Sequence, residues 1–431
     1  MFLSLKNALG KTLGSTFRGL LDSFSGASAA YSLRLLSGAY SGDAIRVRRG
    51  GDNVEVDVGF NGGSVSSSSP VTNASGEPAY TATYSDSTWQ FTGSSSSGPN
   101  SSSTAAWDCA GTSGLLTATL NFNTPIIVGS TLSVSFTAAS IANTWTLSLL
   151  PSSGSPITST TVSSNGAKTI AFSNITGQAA KIQFSNPTSG SALDVSSFSV
   201  SVTAGDTAAV TLGAFMTEIG SSTDLFVETW YDQSGNSRDA VQTTTTEQPK
   251  LASSGTLETD ANGKITMLFD GTDDDLDLPT TVISSLDSVS AFNVCSSSST
   301  SGVKVALGLS RSQSSAKRHY LPLLSATQFF HSYDNHFADS SQKLADADTN
   351  QHLFSSVAGA STAKGFFDGG DAKFSETSVS TYASNTAGGI GSTNGTLNWQ
   401  GDISEIIIYN SDQTSDFDAI NTQIKSYYGI S

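Results

Sequence analysis

Three groups of residues in this chain have the types and spacing to do chemistry. Arg46, Arg48 and Arg49 stand almost in a row. Guanidinium groups so placed grip a carboxylate or an acidic sugar through paired hydrogen bonds, or form structural ion pairs. In a strand, alternation puts Arg46 and Arg48 on one face and Val47 on the other. The run Trp230-Tyr231-Asp232-Gln233-Ser234-Gly235 leads from aromatic residues into a polar turn. There Asp232 and Gln233 either contact a ligand or bond backbone amides to fix the turn, which is the commoner use of such side chains. Asp270, Asp273, Asp274, Asp275 and Asp277 crowd one short stretch. Hard oxygen donors at this density suit Ca²⁺, although the spacing is not that of an EF-hand loop. Asp270, Asp273 and Asp275 are the candidate ligands.

Other chemical signals are weaker. Trp89 and Trp107 lie in serine-rich stretches. An exposed indole would stack on a sugar ring, which makes these two the carbohydrate-binding candidates; the alternative is a pair of core tryptophans. His319, His331, His336 and His352 have no short metal-binding spacing, and His331 and His336 fall in a loop-like stretch. No zinc site is expected. Cys109 and Cys295 are too few for a disulfide framework and read as small core residues.

The elements that would position these residues fall into three parts. Residues 1–28 read as an amphipathic arm. Phe2, Leu5, Leu9, Leu13, Phe17 and Leu20 recur every three or four residues and form one apolar stripe on a helix. Gly10, Gly14 and Gly19 each weaken that helix by up to about 1 kcal/mol. Such a stripe needs a covering surface. The arm therefore packs on its own domain, self-associates into an oligomeric stalk, docks into a larger particle, or touches a membrane surface.

Residues 64–204 read as an insertion. They hold only six charged residues, Glu77, Asp86, Asp108, Lys168, Lys181 and Asp194. Short alternating runs, such as Leu115–Phe122, Thr131–Phe136, Thr144–Leu150, Lys181–Phe184 and Val195–Val202, predict an antiparallel sandwich with hydroxyl-rich outer faces. Residues 29–63 and 205–431 form the host domain. Its strands include Ala44–Arg48, Val54–Val58, Phe226–Tyr231, Lys264–Phe269, Val289–Val294, Val303–Leu307, Tyr320–Leu324, Leu353–Val357, Lys364–Phe367 and Ile403–Tyr409. A closing helix over Ser415–Tyr428 presents Ile420, Ile424 and Tyr427, with Gly429 as its C-cap. The fold class is therefore all-β: a two-sheet jelly roll with an inserted second β-sandwich and an N-terminal helical arm.

Charge narrows the partners. The chain carries a net charge of −16, which argues against binding phosphate backbones and so against nucleic acid. Residues 1–50 hold seven basic groups against two acids, so the remainder is more acidic still. That basic end is either a solvated helix face or a dock for an acidic partner. No apolar run reaches the ~18 residues of a transmembrane helix. The N-terminus lacks the apolar core of a signal peptide, which predicts synthesis in a cytoplasm with Met1 retained.

The residues also carry a resemblance. Ala30–Phe60 (AYSLRLLSGAYSGDAIRVRRGGDNVEVDVGF) and Glu228–Gln242 (ETWYDQSGNSRDAVQ) resemble two blocks of the fungal α-L-arabinofuranosidase B catalytic domain, itself a concanavalin-like sandwich. Phe269–Leu278 and Trp399–Ile430 look like the opening and closing strands of laminin-G-type jelly rolls. In this order the blocks resemble virion structural proteins of marine tailed phages. The insertion, through Asn186–Val200, looks loosely like a carbohydrate-binding module.

The resemblance implies a virion component, made in the host cytoplasm and held by its arm to other virion proteins of tail, portal or capsid. It would be a homo-oligomer displaying its sandwiches to host-surface glycan, as part of a tail fibre or spike. The alternative is a capsid decoration or cement protein without a receptor. A third reading is a polysaccharide hydrolase of arabinofuranosidase type. Retaining glycosidases need two carboxyl groups about 5–5.5 Å apart. The resemblance places the nucleophilic Glu after the strand near Val303–Leu307, yet no Asp or Glu occurs between Asp287 and Asp334. The expectation is a non-enzymatic protein with no catalytic residues and no cofactor other than a possible calcium ion.

Overall fold

A computed structural model describes residues 17–51, 53–73, 80–81, 89–92, 107–111, 115–126, 131–151, 154–173, 175, 179–203, 211–217, 223–283, 288–309, 318–334, 338–358, 362–377, 388–393 and 395–431. Phe2, Leu5, Leu9 and Leu13 lie outside the described residues. The protein is all-β, with short helices. It divides into two compact units, one running to Ser69 and resuming at Ser221–Ser431, the other Pro70–Gly220. No helix among the described residues is long and apolar enough to cross a membrane.

The discontinuous unit is organised on the strand Gln400–Tyr409. Its second half pairs antiparallel with Ala27–Ser32 on one edge and with Val289–Ser296 on the other, and its first half pairs with Met267–Asp270. Beyond Val289–Ser296 the ladder continues through Gln351–Ala358, Thr362–Phe367 and Phe374–Thr377. From Met267–Asp270 it runs through Lys250–Ser253, Leu225–Trp230, Ile45–Arg49 and Glu55–Val58. Another run of strands comprises Leu276–Leu278, Gly388–Ile390, Leu307–Gly308, Arg318–Ser325, Gln328–Asp334 and Lys343–Asp346.

Ile406, Ile407, Ile408 and Tyr409 break the alternation of a half-exposed strand because both faces are covered. Ile407 and Tyr409 meet Phe417, Ile420, Ile424 and Tyr428 of the closing helix Phe417–Tyr428. Gly429 ends that helix with φ 68°, the left-handed conformation that glycine adopts without penalty. Tyr428, not Tyr427, is the fully buried tyrosine of this face. Leu20, Leu21 and Ala27 join the same cluster, and Ala27–Ser32 is a strand. The stretch read as the end of the arm is thus part of the domain body from Leu20 onward. Its apolar spacing serves a four-residue helix, Leu20–Ser23, and then a strand.

One charge lies inside this packing. Glu405 is 1% exposed. Arg34 donates to it twice, from Nε at 2.6 Å and from an Nη at 2.7 Å, and the Ser32 and Tyr428 hydroxyls add to the set. Burial would lower the Arg34 pKa, but the Glu405 carboxylate outweighs it and holds the guanidinium more firmly charged than usual. Arg34→Ala leaves Glu405 buried without its counter-ion, and the unfolding free energy should drop by about 3–5 kcal/mol. Urea denaturation measures this. Adding Glu405→Gln should restore most of the loss, and a single variant as stable as the parent would remove the pair from this role.

The stretch around His331 is a strand, Gln328–Asp334, rather than a loop; its flanking Ser, Asn and Asp residues conceal the alternation. His331 and His319 are fully buried, with ring centroids 4.7 Å apart, and the Ser356 hydroxyl lies 3.1 Å from His319 Nε2. Burial lowers the His319 pKa to about 3, and burial together with His319 puts His331 well below its usual value. The unfolded imidazoles take up protons below about 6.5 while the folded ones stay neutral. Stability is therefore lost as pH falls from about 6.5 toward 3, by about 2 kcal/mol at pH ~5 for His319 alone. Urea midpoints at neutral and acid pH test this: a His319→Gln/His331→Phe variant should lose much of the pH dependence.

The inserted unit is a sandwich of two sheets. One runs Thr158–Val162, Trp145–Leu150, Ala179–Asn186, Leu116–Ile126, Trp89–Thr92. The other runs Gly166–Phe172, Thr131–Ala142, Ser191–Thr203, with Tyr80–Thr81 and Trp107–Gly111 both pairing the last. Strict alternation over residues 131–138 of the strand Thr131–Ala142 sends Leu132, Val134, Phe136 and Ala138 inward against Trp145, Leu147, Leu149 and Phe184.

Candidate functional site

The arginine run lies in the strand Ile45–Arg49, where alternation does what the sequence predicts. Arg46 faces the neighbouring strand's Asp57, donating Nε to Oδ1 at 2.9 Å, with Glu228 at 3.6 Å. Tyr231 donates its hydroxyl to the same Asp57 oxygen at 2.6 Å. Burial, and then Asp57, raise the Tyr231 pKa, so this phenol stays protonated. Burial and Glu55 raise the Glu228 pKa. Arg48 donates to Gln248, Asn53 and the Thr245 carbonyl, and its guanidinium lies over the Phe226 ring at 4.6 Å. Arg49 is completely buried. The group is a structural network that knits strands together.

Asp232 and Gln233 are buried and work as a clamp. Asp232 accepts from the amides of Ala30, Ser234 and Arg238. The Gln233 side chain accepts from Leu36 N at 2.8 Å and donates to the carbonyls of Ser32 and Arg34. Two turn residues thus fix a segment about 200 positions earlier. This also explains why the Ala30–Phe60 and Glu228–Gln242 blocks occur together: one is the backbone that the other holds.

The acidic stretch separates into two groups. Asp270, Asp273 and Asp274 each place a carboxylate oxygen within 4.8 Å of the others. Asp275 is not among them. It precedes the strand Leu276–Leu278 and turns inward, accepting from the Ser392 hydroxyl at 2.6 Å and from the Gln242 amide. Asp274 takes the position the sequence assigned to Asp275, and bonds the Asp270 amide at 2.8 Å. The three grouped carboxylates offer the donors that Ca²⁺ takes, although three donors fall short of the six to eight it binds.

Of the other predicted residues, Phe17 is 46% exposed while Leu20 is 2% exposed, so the stripe splits between surface and core. Trp89 and Trp107 lie on strands of opposite sheets of the inserted unit, and their side chains are outside the described residues. Cys295 is buried and unpaired. Sequence reasoning missed Asp57 and Glu405, and gave His352 no partners. His352 bridges Asp348 and Asp368 at 2.8 Å each. The Asp348/His352 spacing of four was visible, but its partner Asp368 is brought in by the neighbouring strand.

No family model matches the chain, and neither does any curated protein sequence. Some solved structures are partly similar. A GH54 α-L-arabinofuranosidase soaked with a cyclic sulfate inhibitor is 14% identical, over 52% of this chain and 55% of its own, with TM-score 0.39. Domain 4 of AbnA, a GH43 extracellular arabinanase from Geobacillus stearothermophilus, in complex with arabinotriose, is 16% identical over 38% and 80%, with TM-score 0.29. The Trypanosoma rangeli sialidase in complex with the inhibitor DANA is 14% identical over 45% and 30%, with TM-score 0.33. The chain spans about a third of the sialidase's length. These are weak resemblances of low identity and partial coverage.

Burial, with Asp270 and Asp273 nearby, raises the Asp274 pKa to about 7. The folded chain holds a proton there that the unfolded chain releases near 3.8, so stability at this loop falls as pH rises from about 4 to about 7. Asp274→Asn should reduce that decline. Denaturant midpoints at pH ~5 and ~7.5 measure it, and an unchanged difference between them would refute the assignment.

Proposed function

We propose that this chain is a non-enzymatic virion structural protein of a tailed bacteriophage that displays its two β units for adhesion to host-surface glycan. The observation that carries the non-enzymatic part is the fate of the chemistry-bearing residues. Arg46, Asp57, Asp232, Gln233, Arg34 and Glu405 are engaged in bonds between strands and turns. A side chain bonded within the scaffold is held away from a substrate, and fold resemblance alone confers no activity. The acid-free span between Asp287 and Asp334 supports the same reading.

The virion assignment rests on the order of the sequence blocks. Adhesion draws support from the inserted sandwich, whose outward positions carry hydroxyls such as Ser133, Ser135, Ser159 and Thr169 in place of charge. Weak contacts of that kind hold a surface through multivalency. In this reading residues 1–16, whose stripe continues to exposed Phe17, anchor the chain to another virion protein and favour a homo-oligomer. Mass spectrometry and cryo-EM of purified particles test this. The protein should be present with both units facing solvent, and a chain lacking residues 1–16 should fold but fail to incorporate. Absence of the full chain from particles would sink the proposal; presence without any glycan binding would leave a cement role.

A further inference from the structure

In the inserted unit the two sheets end side by side on a pair of edge strands, Thr158–Val162 and Gly166–Phe172. The first pairs with Trp145–Leu150 in a register that sets Val162 beside Trp145, Thr160 beside Leu147 and Thr158 beside Leu149. Trp145, Leu147 and Leu149 point into the core. Their neighbours on the edge strand are Val162, which is buried, and then Thr160 and Thr158, which are half-buried. Two inward positions that would seal the sandwich with aliphatic side chains thus carry hydroxyls. Ser159, which alternates to the outer face, bonds Ser148 at 2.9 Å. Facing the threonines, Gly166–Phe172 turns Ile170 and Phe172 inward. Between the two strands lies a cleft of about 410 Å³, closed by Ile157 and Ile175.

We propose that this cleft binds a neutral saccharide. Its volume lies within the range of small-molecule sites. One wall is aliphatic and aromatic, through Ile170 and Phe172; the other presents the Thr158 and Thr160 hydroxyls together with the outward backbone groups of an edge strand. A sugar ring has that same division, an apolar face and a hydroxyl-bearing rim. A purely apolar ligand would leave the threonine hydroxyls and strand-edge amides without partners. Among the described residues, none that lines the cleft is charged. Lys168, on the same strand as Ile170, turns its ammonium to the Ser164 hydroxyl and the Asn165 carbonyl. An ionic ligand would therefore find no counter-charge here.

This inference rests on the adhesive reading above and places its glycan in this cleft rather than on Trp89 or Trp107. The test uses the full chain and a set of neutral trisaccharides built from glucose, galactose, xylose or arabinose, at up to about 10 mM. Calorimetry and saturation-transfer NMR detect binding. At least one trisaccharide should bind the parent. Ile170→Trp, which fills the cleft, should abolish that binding. Thr158→Val/Thr160→Val, which keeps side-chain volume and removes both hydroxyls, should weaken it about tenfold with an unchanged melting temperature. If the parent binds a trisaccharide and both variants bind it equally well, the cleft is the wrong site and the adhesive reading survives. If the parent binds none of them, the adhesive reading falls and the cleft falls with it.

Discussion

The buried Arg34–Glu405 pair is the constraint around which the discontinuous unit is arranged. Glu405 sits in a strand covered on both faces, where an unmatched carboxylate is strongly disfavoured. Its charge is met by a guanidinium 371 positions earlier, and the Ser32 and Tyr428 hydroxyls complete the set. First strand, last long strand and closing helix are therefore fixed to one another by a single carboxylate. The apolar cluster of Leu20, Leu21, Ile407, Ile420 and Ile424 supplies area, and the ion pair supplies register. A slip of one residue in Gln400–Tyr409 would strand the charge on the wrong face.

The same economy governs the segments that resemble arabinofuranosidase blocks. A row of arginines and an aromatic turn ending in Asp-Gln have the look of a ligand site. In the folded chain the Arg46–Asp57–Tyr231 network joins neighbouring strands, and the Asp232–Gln233 clamp holds Ala30–Leu36. Long-range polar bonds of this kind tie segments distant in sequence, so the two blocks go together for a structural reason before any functional one. Strand pairing alone leaves such connections loose; buried side chains that satisfy specific backbone groups make them unique.

The inserted unit uses a different chemistry. It has almost no charge to place, and it is held by an alternating core around Trp145, Phe136 and Phe184. Its polar outer positions are filled by serine and threonine. The two sheets end on the edge strands Thr158–Val162 and Gly166–Phe172, and an edge strand keeps one row of backbone groups open.

Much was determined by the sequence on its own. The short apolar runs Thr131–Phe136, Thr144–Leu150, Ala44–Arg48 and Val54–Val58 fall on the strands Thr131–Ala142, Trp145–Leu150, Ile45–Arg49 and Glu55–Val58, and the Ile420/Ile424 spacing with Gly429 located the closing helix. The shift in charge content sets residues 64–204 apart, and the compact unit runs Pro70–Gly220. These signals are local, set by neighbours within one turn or one pleat. Tertiary structure alone decided the rest. The end of the arm became body because Leu20 and Leu21 found the closing helix. Gln328–Asp334 became a strand because its partners buried it, and His331 went with it. Asp274, not Asp275, joined Asp270 and Asp273, since Asp275 met Ser392, a residue 117 positions away. The first and last of these outcomes turned on a partner distant in the chain, and local spacing carries no information about which distant segment will arrive.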